Sequence, residues 1–134
     1  MSISDDAVEE IEGIFAQINE LTSAGAVVLV EGDDDVRGLK KLGVRGNIMK
    51  ISGGKSLLNF VEGLCGVGEV IVLTDFDRAG ERLARFCSKH LKSLGVVPVT
   101  EPRRRLKELV HKEVSDIEGL SKLLLKHRES GLTL

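Results

Sequence analysis

Short apolar runs alternate along the chain with longer segments whose apolar residues recur every three or four positions. Residues 26–30 and 70–73 are too short for buried helices and are rich in β-branched residues, so we expect two buried parallel strands. Residues 47–51 and 96–99 predict two more, and Pro98 places the last nearer a sheet edge. This alternation predicts an α/β fold: a mainly parallel, four-stranded, Rossmann-like sheet with helices on both faces.

Capping signals mark the first and last predicted helices. Asp6 begins the first helix with Glu9 as its capping box, and Ser115 with Glu118 forms another box before the last helix. At 134 residues the chain is long enough for one core. We divide it into an N-terminal helix (1–25), a core (26–100) and a C-terminal helical extension of the same domain (101–134).

Carboxylates end both strongly apolar strands. Glu31 follows the first, and Asp75 and Asp77 follow the second. Ligands bind at the carboxyl edge of open α/β sheets, so the three side chains would meet there if the strands are neighbours. A divalent cation would relieve their repulsion. The alternatives are that Glu31 stabilises the next helix through its dipole, and that Asp75 and Asp77 form an Asp-rich turn.

Three other phosphate-handling sites fit the sequence less well. Gly54-Lys55-Ser56 resembles the end of a P-loop, but Met49 stands where that motif needs a glycine. A phosphatase with an aspartate nucleophile would need Thr or Val in place of Ala79. A two-component receiver would need a lysine after a fifth strand, and no fifth strand is predicted.

Composition gives no sign of a membrane span, a secretion signal or a zinc site. No apolar run approaches the length that spans a membrane, and the acidic N-terminus lacks the apolar stretch of a signal peptide. Cys65 and Cys87 lack zinc-site spacing, and we interpret them as buried residues of a cytoplasmic, reducing compartment. Residues 1–76 carry 6 Lys/Arg and 13 Asp/Glu, whereas residues 77–134 carry 13 and 8. This asymmetry fits an enzyme acting on a polyanion, or ordinary solvated helix faces.

The motifs together resemble a Toprim domain, the metal-binding module of type IA topoisomerases, bacterial primases, OLD-family nucleases and ribosomal-RNA maturases. The resemblance rests on Glu31-Gly32-x-x-Asp35, on Gly53 and on Thr74-Asp75-x-Asp77-x-x-Gly80-Glu81. It covers residues 26–99. The short, stand-alone length and the basic helix beginning at Arg103 are most similar to the small archaeal Toprim proteins.

The resemblance implies a role for each acidic residue. Glu31 resembles the general acid or base of strand transfer, and Asp75 and Asp77 resemble the aspartates that hold Mg²⁺. Two ions are implied, one held by Glu31 and Asp75 and the other by Asp75 and Asp77. Two such ions can stabilise both the attacking and the leaving oxygen. The supporting residues are Gly32, Asp35, Gly53, Gly54 and Gly80, and we expect Gly53 and Gly54 to let the backbone pass close to the metal.

The sequence also departs from the family pattern. Asp33 stands where many relatives carry a lysine, and Lys55 is the candidate substitute. The chain has no tyrosine, so it cannot cut and rejoin DNA alone as a topoisomerase does. It also has no room for the additional domains of a primase.

We therefore expect Mg²⁺-dependent phosphoryl transfer on nucleic acid, most simply hydrolysis of RNA rather than DNA phosphodiesters, as in RNA processing. The alternative is a non-catalytic Toprim module that binds nucleic acid or a protein partner in a larger complex. The residues expected to contact nucleic acid are Lys55, Arg78, Arg103, Arg104 and Arg105.

Overall fold

Four parallel strands form the sheet of this protein, whose computed structural model describes residues 3–51 and 56–132. The strands are β1 (Val27–Val30), β2 (Asn47–Lys50), β3 (Glu69–Val72) and β4 (Val97–Val99). Their order is β2-β1-β3-β4, and all three pairings are parallel. The predicted α/β fold is confirmed, including the edge position of the strand that contains Pro98. Because β1 and β3 are neighbours, their carboxyl ends lie side by side.

Helices cover both faces of the sheet. They are α1 (Asp5–Ser23), α2 (Asp33–Lys41), α3 (Leu57–Glu62), α4 (Arg78–Ser93), α5 (Glu101–Val110) and α6 (Ile117–Leu132). Within the described residues, no helix is both long enough and apolar enough to cross a membrane.

Alternate residues of the central strands serve two separate cores, because strand side chains point to opposite faces in turn. Val28 and Val30 of β1 pack into a cluster with α1, α2, α5 and α6. Leu29 packs into the other cluster with α3 and α4. The predicted N-terminal helix (1–25) and the C-terminal extension (101–134) therefore both contribute to the first core, through residues such as Ile14 and Leu120.

Two helix beginnings differ from the predicted ones. Ser4, rather than Asp6, caps α1, and its hydroxyl accepts a hydrogen bond from the N–H of Ala7. Asp116, rather than Ser115, caps α6, and its Oδ1 accepts a 2.6 Å hydrogen bond from the N–H of Gly119. In both places the sequence offers several capping residues in a row, and the path of the entering chain selects among them.

Candidate functional site

Glu31 and Asp75 are in direct contact at the carboxyl edge of β1 and β3. Oε2 of Glu31 accepts a hydrogen bond of 2.7 Å from the backbone N–H of Asp75. The parallel pairing of β1 with β3 brings the two residues together although 44 positions separate them. The structure thus joins the two strand ends through one of the predicted carboxylates.

Asp77 takes no part in this contact. Its exposed side chain caps α4, where Oδ1 accepts a hydrogen bond of 2.7 Å from the N–H of Gly80. Within residues 3–51 and 56–132, no three His, Cys, Asp or Glu side chains are arranged to hold a metal ion. The structure therefore brings Glu31 and Asp75 together and leaves Asp77 apart from them.

A strongly acidic cavity of about 490 Å³ opens beside this contact, and we call it the acidic pocket. Among the residues that the structure describes, seven carboxylates, one guanidinium and one glycine line it: Glu31, Gly32, Asp33, Asp34, Asp35, Arg37, Asp75, Asp116 and Glu118. Carboxylate oxygens are the hard donors that Mg²⁺ and Ca²⁺ prefer. The pocket therefore has the donor chemistry of a divalent-cation site.

The electrostatics of the acidic pocket favour proton uptake by the partly buried Asp75 and the buried Asp35. Burial, together with the nearby charge of Glu31, raises the pKa of Asp75 to about 7, although the N–H of Ile117 opposes the shift by donating to Oδ1 at 3.3 Å. Burial also raises the pKa of Asp35, whose Oδ2 accepts a 3.0 Å hydrogen bond from the N–H of Gly32. Both carboxylates therefore carry charge that the protein alone leaves poorly compensated.

The beginning of α6 forms one wall of the acidic pocket, which the sequence did not reveal. Asp116 and Glu118 line the pocket, and the carbonyl of Ser115 accepts a 2.8 Å hydrogen bond from the N–H of Phe76. No sequence pattern pointed to Asp116 as a pocket residue. Its proximity to Asp75 depends on how α6 packs against the sheet, and no local pattern encodes that packing.

Arg103 requires a correction, because it is not available to nucleic acid. Its side chain is buried, and Nε and Nη2 donate to the carbonyls of Thr74 and Asp75 at 3.1 and 2.6 Å. Nη1 donates to Oε2 of Glu81 at 2.7 Å, and this ion pair lowers the pKa of Glu81. A guanidinium enclosed by three acceptors cannot reach a phosphate, so Arg103 instead fixes the loop between β3 and α4.

Gly80 lets that loop fold tightly onto the first turn of α4. A Cβ atom at this position would lie 1.9 Å from the backbone oxygen of Asp75, so no larger residue fits without moving the chain. The buried Thr74 hydroxyl donates to the carbonyl of Gly80 at 2.7 Å. The close approach of the chain at Gly80 therefore requires a residue without a side chain.

The other predicted basic residues lie in different surroundings. Arg78 is exposed at the first position of α4. Arg104 pairs with Glu101 and Glu108 at 2.5 and 2.7 Å. Arg105 reaches Gln17 at 3.4 Å. The predictions for Gly53, Gly54 and Lys55 lie outside the described residues.

Comparison with known proteins agrees with this architecture. The Toprim domain matches residues 26–109. A UPF0292 protein of Methanosarcina barkeri is 40% identical over 124 residues, covering 89% of this chain and 86% of that protein. A UPF0292 protein of Pyrococcus horikoshii is 38% identical over 120 residues, covering 89% of each. A solved structure of a putative protein from Aquifex aeolicus has a TM-score of 0.66 and 30% identity, covering 80% of this chain and 94% of that one.

The fold, the acidic residues at its carboxyl edge and these relatives agree on one assignment. Toprim domains generally bind metal and act on nucleic acid. With most of its length matched both to the domain and to archaeal relatives, this chain belongs to the Toprim domain family.

Proposed function

We propose that this protein catalyses Mg²⁺-dependent hydrolysis of RNA phosphodiesters. The observation that carries the proposal is the contact between Glu31 and Asp75, which joins two neighbouring strand ends beside a pocket lined by seven carboxylates. The membership of the chain in a family that acts on nucleic acid supports it. The absence of tyrosine argues against a covalent tyrosyl intermediate and favours hydrolysis.

The residues of the acidic pocket fit Mg²⁺. Their oxygens are suitable donors, and the raised pKa of Asp75 reflects charge that a cation would compensate. Glu31 and Asp75 would hold one ion, and Asp75 with Asp77 would hold a second once Asp77 releases the N–H of Gly80. When bound, Mg²⁺ supplies stabilisation of the charge on phosphate oxygens.

Three side chains then have separate roles in the proposed reaction. Glu31 accepts or donates a proton at Oε2, the atom that now accepts from the N–H of Asp75. Arg103 is a positioning residue, because it holds the carbonyl of Asp75 and so fixes the loop that carries the Asp75 carboxylate. Exposed Arg78, next to Asp77, contacts a phosphate.

A second candidate function is a non-catalytic module that binds nucleic acid or a protein partner. The observation that favours it is the engagement of both Glu31 and Asp77 with backbone N–H groups. In that state neither carboxylate is fully free for proton transfer or metal binding. Such a protein would bind without cleaving.

The test compares metal uptake and cleavage in the same set of variants. Wild type, Glu31→Gln, Asp75→Asn and Asp77→Asn are titrated with Mg²⁺ by calorimetry and assayed on structured RNA, with Glu10→Gln on α1 as an exposed control. Asp75→Asn should lose most metal binding and Asp77→Asn only part of it. Glu31→Gln should keep much of the binding but lose cleavage by a factor of about 10²–10⁴.

The outcomes separate the two candidates. Mg²⁺ uptake and RNA binding without cleavage by wild type would establish the non-catalytic module. A wild type that takes up no Mg²⁺ at millimolar concentration with RNA present would contradict the metal site and the hydrolase together.

The cysteines support a cytoplasmic setting as part of the same proposal. Cys65 and Cys87 are both free. Cys87 is buried in the core beside α3 and α4 as expected, whereas Cys65 is exposed, so the prediction of burial is wrong for Cys65. Disulfides are rare in reducing compartments, where free buried thiols are common.

A further inference from the structure

One face of α4 carries a continuous line of cations, which we call the basic stripe. Its members follow one another at intervals of four, three, four and three residues: Arg78, Arg82, Arg85, Lys89 and Lys92. At 3.6 residues per turn this spacing keeps all five side chains on one side of the helix. All five are exposed, whereas Ala84, Cys87 and Leu91 on the other side are buried.

The charge of the basic stripe is largely uncompensated. In the part of the chain that the structure describes, no carboxylate oxygen lies within 4 Å of the charged nitrogens of these five residues. Glu81 is the acidic residue whose pKa responds to Arg85, but its carboxylate already bonds Arg103 and faces Lys107 at 3.7 Å. By contrast, Arg104 on α5 is paired twice. The stripe is thus a better polyanion surface than α5.

A groove of about 860 Å³ runs beside the stripe between α4 and α5, along the edge strand β4. Arg85, Lys89 and Lys92 line its α4 side. Ser88 lies among them, and its buried Oγ has no hydrogen-bond partner among the described residues. The groove therefore combines fixed positive charge on its α4 side with a buried, unpartnered hydroxyl in its wall.

The stripe and the groove both approach the loop between β3 and α4, which carries Asp75. Arg78, at one end of the stripe, directly follows Asp77. Arg103 lines the groove and donates to the carbonyl of Asp75 at 2.6 Å. The stripe spans about 21 Å at 1.5 Å per residue.

We propose that the basic stripe, with its groove, binds the sugar-phosphate backbone of structured RNA and directs it to the acidic pocket. This inference rests on the proposed function, since it takes the nucleic acid as given and assigns the surface that holds it. Backbone recognition suits a chain with no Trp or Tyr, because single-strand binders rely on aromatic stacking. It also makes binding independent of RNA sequence and strongly dependent on salt.

The experiment measures binding without cleavage. The affinity for a labelled RNA hairpin is determined by fluorescence anisotropy in EDTA across a salt series. The test variant combines Arg85→Gln, Lys89→Gln and Lys92→Gln. The control combines Lys40→Gln, Lys41→Gln and Lys126→Gln, which remove the same charge from exposed positions on α2 and α6.

The test variant should bind about 10- to 100-fold more weakly at low salt, and its plot of log K against log salt should be shallower by about 2 to 3. The control should stay within about threefold of wild type. Because all the substituted side chains are exposed, melting temperatures should be nearly unchanged, and they are measured for both.

Three results would overturn the inference. Equal losses in the test and control variants would show that only net charge matters. Competition by polyglutamate as effective as that by unlabelled RNA of equal charge would show a general acidic-chain site. Failure of wild type to bind RNA with or without Mg²⁺ would instead remove the proposed function itself, and the inference with it.

Discussion

Gly80 is the residue whose replacement should disturb the site most directly. In Gly80→Ala the new Cβ would overlap the backbone oxygen of Asp75, and a backbone atom cannot move aside as a side chain can. We expect a loss of about 2–3 kcal/mol in the free energy of unfolding, as in other overpacked positions. Mg²⁺ affinity should fall as well, because the loop that carries Asp75 must shift.

Urea denaturation and calorimetry measure the two effects of Gly80→Ala separately. Gly68→Ala is a suitable comparison, because a Cβ there would meet nothing within 4 Å. If Gly80→Ala keeps the stability and the Mg²⁺ affinity of wild type, the loop can adapt to the added methyl group and the close approach has no functional importance.

Asp75 should make the metal-free protein sensitive to pH. Its pKa is raised from 3.8 to about 7 in the folded protein, so folding favours its protonated form. The stabilisation associated with that proton is complete below about pH 4 and is lost as the pH rises through about 7. The raised pKa of Asp35 acts in the same direction. In EDTA, wild type should therefore be more stable at pH 5 than at pH 8.

Asp75→Asn tests the source of that pH dependence, since the amide resembles the protonated carboxyl and does not titrate. Urea denaturation in EDTA should show a smaller difference between pH 5 and pH 8 for Asp75→Asn than for wild type. Identical pH profiles would assign the effect to other groups.

At the scale of elements, the packing of α2 against α6 depends on a glycine in the middle of a helix. A Cβ at Gly38 would lie 2.3 Å from Oγ of Ser121, and the Ser121 hydroxyl is itself buried and bonded to the carbonyl of Ile117 at 3.0 Å. Gly38→Ala should therefore cost about 1–2 kcal/mol despite the better helix propensity of alanine. Gly13→Ala, in open space on α1, should instead stabilise by about 0.5–1 kcal/mol.

Thermal denaturation of these two variants gives the comparison, and Gly38→Ala combined with Ser121→Gly should recover part of the loss. If Gly38→Ala raised the melting temperature as much as Gly13→Ala, α2 and α6 would be able to move apart without loss of stability. Because α6 begins at the acidic pocket, a shift of α6 should also weaken Mg²⁺ binding.

The elements themselves were largely predictable from the sequence, but their side-chain partners were not. Short apolar runs identify β1 and β3, and parallel pairing then places Glu31 near Asp75 by geometry alone. Arg103 was misassigned because an arginine in a basic segment has the same sequence pattern whether it faces solvent or backbone carbonyls. Asp116 was missed because its nearness to the pocket arises from tertiary packing.

At the scale of the whole molecule, the uneven charge along the chain places negative and positive charge on two different surfaces. The acidic pocket draws on residues as distant as Glu31 and Glu118, whereas the cations of α4 form the basic stripe. The match to the Toprim domain ends at residue 109, yet Asp116 and the N–H of Ile117 belong to the site. The segment after residue 109 therefore contributes to the wall of the acidic pocket.

The long sequence separations within the site have a consequence for folding kinetics. The hydrogen bonds that Asp75 makes with Glu31, Arg103 and Ile117 join residues 44, 28 and 42 positions apart. Contacts of such long range carry a large loop-closure cost, so we expect the transition state for folding to lack the assembled pocket. Mg²⁺ at about ten times its dissociation constant should then slow unfolding by about tenfold and leave the folding rate nearly unchanged. Stopped-flow measurements with Mg²⁺ and with EDTA would reveal this, and an accelerated folding rate would instead mean that the pocket forms early.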